Sequence, residues 1–286
     1  CYEAAHSLYA GTMEDIGNDI YMGTFKEPGN KFKVSGDIYI KTFKEIYFNI
    51  KQNGFDIGNS IIPISKEGNI LNGSHRVASL MFLNKKVPIV RLDIKSPDYS
   101  YQFFKSRKVP IQFLDQCAIK EIQIKKNLGK NLKIAIIWPA ADRSKIDLEN
   151  QIPNIKYKKE IYFNFDGFHN LISCIYDHEK WLGNVDNKFK GARLKATLCY
   201  SKRNPLTVYL FEPYKTNVVL LKELIRKKFG ISKNSIHIND DFEEVLNLTD
   251  IFFNQNTIFF LNKISFNNHS EKFLKQLSLF KKFLKN

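Results

Sequence analysis

Cysteine is scarce and scattered in this chain: Cys1, Cys117, Cys174 and Cys199 form no CxxC pair and no cysteine–histidine spacing. No disulfide framework or zinc site can be read from them, and reduced thiols in a cytoplasmic protein are the expectation. Nine prolines and fourteen glycines leave little room for flexible linkers or low-complexity arrays, and no internal repeat is present. No run of about 18 apolar residues occurs, so no membrane-spanning helix is expected. No segment reads as a signal peptide. Methionine is missing from the first position, and Cys1 in its place implies a piece cut from a longer polypeptide. Acidic residues are in deficit, 29 against 44 Lys and Arg, which leaves a net charge of +15. That excess draws anions, whether nucleotides, phosphorylated metabolites, uronic acids, nucleic acid or anionic lipid, and does not choose among them.

What is present is the composition of a folded chain, 43% hydrophobic and 26% charged in 286 residues. A short helix is expected around residues 2–9, then an acidic turn at Glu14, Asp15 and Asp19. Phe43, Ile46, Tyr47 and Ile50 recur at helical spacing, which predicts a helix over 38–52. Residues 60–64 read as a strand, Glu67-Gly68-Asn69 as a tight turn, Ile70-Leu71 as a second short strand, 74–85 as a helix and 87–94 as a strand. Residues 97–110 read as a crossing segment, and the Lys-rich stretch 120–133 as a boundary. Beyond it, strands are expected at 134–138, 161–165, 194–200 and 206–211, and helices at 171–181, 217–229 and 242–253. The mixture predicts an α+β fold with domains at 1–120 and 131–263. A C-terminal basic amphipathic helix, 264–286, would carry Phe273, Leu277, Phe280 and Leu284 on one face. Ordinary packing is the plainer reading of that helix; attachment to a membrane surface is the functional one.

The chemistry concentrates at Asn72-Gly73-Ser74-His75-Arg76, where a strand turns into a helix. Gly73 tolerates backbone angles closed to other residues. Ser74 is expected to cap the helix, whose first amide groups favour an anion. His75 adds a titratable donor, and Arg76 a guanidinium able to grip two phosphate oxygens.

With its flanks, Ile62-x-Ile64 before it and Val87-Pro88-Ile89-Val90 after it, this run resembles the core of the ParB/sulfiredoxin superfamily over residues 55–95. The resemblance implies a nucleotide-binding N-terminal domain in which Asn72, Gly73, Ser74, His75 and Arg76 contact the phosphates of ATP, with Mg²⁺. Ser74 stands where sulfiredoxins carry their reactive cysteine, which argues against redox repair. No helix-turn-helix follows, which argues against chromosome partitioning and against nucleic acid as a partner. Beside His75, the nearest candidates for acid–base or metal work are Glu14 and Asp15, although surface carboxylates are usually just solvated.

In the second half His178 lies between two carboxylates in Asp177-His178-Glu179, without the HExxH spacing that zinc chemistry needs. His237 alternates with Ile236 and Ile238 on a strand that leads into Asp240-Asp241, a helix cap. Gly191-Ala192-Arg193-Leu194-Lys195 reads as a basic loop before a strand. Arg193, Lys195, His178 and His237 are the candidate substrate-binding residues. The blocks 195–211 and 231–261 resemble a domain of bacterial surface-polysaccharide proteins, to which no activity is attached.

The expected function is an ATP-dependent phosphoryl-transfer enzyme acting on an acidic small-molecule or saccharide acceptor in surface-polysaccharide metabolism. A hydroxyl acceptor makes it a kinase; a carboxylate acceptor makes it an amide-forming ligase. The alternatives are a ParB-like nucleic-acid-binding protein or nuclease, and a non-catalytic accessory domain of a multidomain glycosyltransferase.

Overall fold

The computed structural model describes residues 36–96, 100–106, 110–184 and 186–264. The expected helix at 2–9, the Glu14-Asp15 turn and the C-terminal helix lie outside these residues. The chain divides into two compact units, Cys1–Leu114 and Asp115–Asn286.

The first unit opens with α1 (Gly36–Asn53), which buries Phe43 and Ile50. Those positions are seven apart, two helical turns, so they share a face. Gly54 ends the helix in a left-handed conformation, its amide closing on Ile50. The chain then forms β1 (Ile62–Ile64), α2 (Ser74–Phe82) and β2 (Ile89–Arg91). The two strands pair in parallel, Ile62 opposite Ile89, so α2 is the crossover that parallel pairing requires. Residues 70–71, expected to form a strand, contribute one antiparallel bridge between Ile70 and Ile64. The tight turn before them forms as expected, with Gly68 at φ +91° and the Ser65 amide donating to Asn69 O. Within the expected crossing segment, residues 101–106 coil into the short helix α3 (Tyr101–Ser106).

The stretch 120–133, read as a boundary, is helical over more than half of its length. The helix α4 (Ile111–Asn127) runs through it, and Gly129 turns the chain into β3 (Lys133–Ile137). After the single helical turn α5 (Leu148–Gln151) come β4 (Ile155–Ile161), α6 (Phe165–Ile175), α7 (Lys190–Cys199), β5 (Leu206–Phe211), α8 (Val218–Phe229), β6 (Ile236–Ile238), α9 (Phe242–Phe252) and α10 (Gln255–Lys263). The strands form one antiparallel sheet in the order β4-β5-β3-β6. Helices with an antiparallel sheet make this an α+β protein.

Both faces of the sheet are covered. Ala135, Ile137, Tyr209, Phe211, Ile236 and Ile238 pack with Leu221, Ile225 and Phe229 of α8 in one core. Ile134, Ile136, Val208 and Leu210, on the opposite face, are equally buried. Each such Ile or Leu contributes on the order of 1.5–3 kcal/mol. Asparagine ties distant segments together here. Asn164 caps α6 and donates two hydrogen bonds to Asn262, from its amide to Oδ1 and from Nδ2 to the carbonyl, while Asn170 donates to the carbonyls of Leu261 and Ile264.

Three expectations in this half are corrected. The strand expected at 161–165 lies earlier, at 155–161, and Phe165 already starts a helix that ends at Ile175, six residues short of 181. Lysines hid the strand: Lys159 is buried because Asp115 pairs with it at 2.7 Å, with both side chains 2% exposed. The strand expected at 194–200 is helix α7, which buries Ala192, Ala196 and Cys199 along one face. Accordingly Arg193 and Lys195 sit on a helix rather than in a loop. Gly191 is needed there because a Cβ would collide with the Trp181 carbonyl oxygen.

Candidate functional site

The 72–76 turn is built by a left-handed glycine. Gly73, at φ 87° and ψ 24°, occupies the cap position of α2, and no side chain caps the helix. Ser74 is therefore the exposed first helical residue, a correction to its expected role as cap. Asn72 Oδ1 accepts the Gly73 amide at 2.6 Å, which holds the turn from the preceding side. The first hydrogen bond inside the helix runs from Val77 N–H to Gly73 O at 3.0 Å. The amide groups ahead of Val77 thus point out of the helix end, as at any helix start.

Arg76 is half-buried and folds back on its own turn. Its Nη1 donates to Ser60 Oγ, and the guanidinium lies back along the turn. A Cβ built on Gly73 would stand 2.8 Å from Arg76 Nη2, 3.0 Å from Nε and 2.7 Å from Ile62 Cδ1. So the missing side chain at 73 is the space that the arginine fills. Nε and Nη2, the edge that makes paired contacts with an oxyanion, form no hydrogen bond with a described residue. His75 lies with its ring against Phe43 of α1, centroids 4.5 Å apart and tilted by 56°. Ser60 and Phe43 were not singled out from sequence, and no local pattern marks either as a partner of this turn.

In the second unit the candidate residues separate. His237 sits on the edge strand β6, opposite Ile136. Its Nε2 lies 2.7 Å from Glu244 Oε1, and its Nδ1 lies 3.3 Å from the Tyr176 hydroxyl. Glu244 also accepts the Asp240 amide at 2.8 Å through Oε2, and its own amide donates to the cap residue Asp241. Burial pushes the Glu244 carboxyl upward, yet His237 and the Asp240 amide outweigh it and hold the group below the usual glutamate range. With Glu244 charged, the fitting tautomer has Nε2–H donating to it and Nδ1 accepting from the phenol. Burial raises the Tyr176 phenol well above its ordinary value, so it stays protonated as that donor. The Tyr176 ring also packs against Trp181, centroids 5.3 Å apart and tilted by 55°.

Lys195 donates to Lys233 O and Asn234 Oδ1 at 2.7 and 2.9 Å, and burial lowers its pKa. Cys199, one turn along α7, shares Asn234, and burial pushes its thiol up to about 11 against the pull of Lys195. Arg193 lies over the Phe165 ring, and His178 stays exposed between Asp177 and Glu179. Neither joins the His237 cluster through a hydrogen bond or ion pair. Glu244 and Tyr176, which do contact His237, and Trp181 behind Tyr176 were visible in sequence only as a helix-start carboxylate and two aromatics near His178.

Among the described residues no group of three His, Cys, Asp or Glu side chains is placed to hold a metal ion, and no helix is long and apolar enough to cross a membrane. Glu14 and Asp15 lie outside those residues. No protein-family model, no curated protein and no solved structure matches this chain.

Proposed function

We propose that the protein is an ATP-dependent phosphoryl-transfer enzyme of ParB/sulfiredoxin type, which holds its nucleotide at the 72–76 turn and activates a small-molecule or saccharide acceptor. One observation carries this reading. Arg76 is anchored through Nη1 to Ser60, while Nε and Nη2 make no hydrogen bond with a described residue and lie against Gly73 at the helix start, in the space a side chain there would take. A phosphate above that turn would meet outward-pointing amides and a fixed guanidinium together, and each favours an anion. The Ser74 hydroxyl, exposed at the first helical position, and the imidazole of His75 complete the donor set.

Positioning and charge neutralisation carry most of phosphoryl transfer, so a rigid cationic turn is what the protein has to supply. Mg²⁺ enters this reading as the ion that bridges nucleotide phosphates, with Glu14 and Asp15 as its candidate ligands from sequence. A hydroxyl acceptor would make a phosphate ester. A carboxylate acceptor would make an acyl phosphate that an amine captures, in keeping with a role in surface-polysaccharide metabolism.

The test is a thermal-shift screen with ATP, CTP, GTP and ADP, each with Mg²⁺, on wild type and His75→Ala. A ligand at about 100 times its dissociation constant stabilises the native state by ~2.7 kcal/mol. The expected result is a shift with ATP that His75→Ala reduces, and ADP release that depends on an added acceptor. No shift with any nucleotide sinks the proposal.

A further inference from the structure

We propose that Asn72 is a site of spontaneous deamidation, which puts a carboxylate at the mouth of the 72–76 turn and so weakens its hold on anions as the protein ages. The consequence for anions rests on the nucleotide reading above; the modification itself does not. Asparagine before glycine is the pair in which the next backbone amide closes most easily on the side chain, because glycine has no Cβ to hinder the approach. The chain has two such pairs, Asn53-Gly54 and Asn72-Gly73, each with an exposed asparagine and a left-handed glycine. Their places in the fold differ, so one is the control for the other.

At Asn72 the reacting groups are already together. Gly73 N lies 2.6 Å from Asn72 Oδ1 and donates to no backbone acceptor among the described residues. With a C=O bond of about 1.23 Å, the carboxamide carbon is then at most ~3.8 Å from that nitrogen, close to the ~3–3.5 Å of a near-attack pair. The departing nitrogen, Nδ2, forms no hydrogen bond with a described residue. Charge helps too, since the amide must lose its proton before it attacks and a nearby positive charge stabilises the anion. Gly73 stands at the positive end of α2, and Arg76 Nη2 would be 2.8 Å from a Cβ built on it.

At Asn53 these factors are reversed. The Gly54 amide donates to Ile50 O at 3.1 Å, and Asn53 Nδ2 donates to Asn49 Oδ1 at 2.7 Å. Asn53 is the last residue of α1, whose negative end disfavours an amide anion. A Cβ on Gly54 would meet nothing within 4 Å, so no guanidinium lies against it.

The step needs only the chain and water. Gly73 N bonds to Asn72 Cγ, and its proton passes through solvent to Nδ2, which leaves as ammonia. One water then opens the resulting succinimide at either carbonyl, leaving aspartate or isoaspartate at position 72. Either product carries a carboxylate, which competes for the amides and the guanidinium that would meet a phosphate.

The experiment incubates the full chain in mildly alkaline oxygen-18 water, digests it, and follows the Asn53 and Asn72 peptides by mass spectrometry. The heavy oxygen marks asparagines converted during the incubation. Conversion at Asn72 should run roughly tenfold faster than at Asn53, since releasing one backbone hydrogen bond alone shifts such a step by up to about tenfold. In guanidinium chloride the two rates should converge, and Asn72→Gln should remove the label from its peptide. Asn72 reacting no faster than Asn53 in the folded chain, or a ratio that denaturant leaves unchanged, overturns the site. A thermal shift with ATP and Mg²⁺ on Asn72→Asp reads the consequence: apparent affinity should fall about tenfold through like-charge repulsion. A folded Asn72→Asp chain that binds ATP as wild type does overturns that consequence. No ATP shift in wild type sinks the nucleotide reading and the consequence with it, while the mass ratio decides the modification by itself.

Discussion

Replacing Gly73 with alanine should destabilise the first unit by more than the same change at Gly54, and the structure sets the size of the gap. Both glycines are left-handed, at φ +87° and +83°. A left-handed backbone costs an L-residue about 1–2 kcal/mol, partly offset by ~0.4–1 kcal/mol of reduced unfolded-state entropy. At Gly54 that is the whole cost, since a Cβ there meets nothing within 4 Å. At Gly73 the Cβ would stand 2.7 Å from Ile62 Cδ1 and 2.8 Å from Arg76 Nη2. Ile62 is fully buried and cannot swing aside, and Arg76 is held by Ser60. Forcing an extra methyl into a packed site adds about 1–3 kcal/mol. At about 4–8 °C per kcal/mol for a domain of ~60–100 residues, Gly73→Ala should melt roughly 5–20 °C below Gly54→Ala. Calorimetry on the full chain, with far-UV circular dichroism, measures the difference. Equal melting temperatures for the two variants would refute the close approach of Arg76 and Ile62 to Gly73.

Two further outcomes follow from buried and hydrogen-bonded charges. Lys159→Met strands the buried Asp115 carboxylate with only Tyr157 and Gln255 as donors, where now Lys159 also pairs with it. Urea unfolding should show a loss of about 3–5 kcal/mol, the cost of an uncompensated buried charge; a loss below ~1 kcal/mol would mean the pair is exposed to water. Glu67 is held at about 2, below its ordinary 4.5, by Ser65 and by the amide and hydroxyl of Ser96. A depressed carboxyl contributes stability that is full above the unfolded value and is lost as pH falls toward the folded one. Glu67→Gln should therefore flatten the loss of first-unit stability between pH 4.5 and 2 in an acid titration. An unchanged acid profile would show that the Ser65–Ser96 clasp does not persist in solution.

Much of the fold was legible where burial and local pattern agree. Strand 206–211 has six consecutive buried residues and was placed to the residue, and the helices expected at 217–229 and 242–253 form at 218–229 and 242–252, with Asn217 and Asp241 outside them as caps. The Asp241 cap and the first-turn Glu244 were readable as helix-start chemistry. What could not be read from sequence was the second partnership of Glu244, because His237 lies on a different element and reaches it only once β6 and α9 are packed. β4 was misplaced because lysines look solvent-facing until a carboxylate from α4 comes to neutralise one. Residues 194–200 looked like a strand, although the alanines at 192 and 196 and the cysteine at 199 mark a helical face.

The sequence alone determined that a glycine turn opens a helix that starts with an adjacent His-Arg pair, because those properties are local; the strand expected just before it is a single bridge at Ile70. Backbone freedom at Gly73 and a helix start after it need no distant partner. Only the tertiary structure decided what the side chains do. Ser60, sixteen residues earlier, turns Arg76 back along Gly73, and Phe43 of α1 supports His75. In the second unit, Tyr176 at the end of α6 and Glu244 of α9 meet His237 of β6, and Trp181 of the 180–182 turn packs on Tyr176. Such meetings depend on the packing of elements far apart in the chain, where no spacing rule in the sequence connects them.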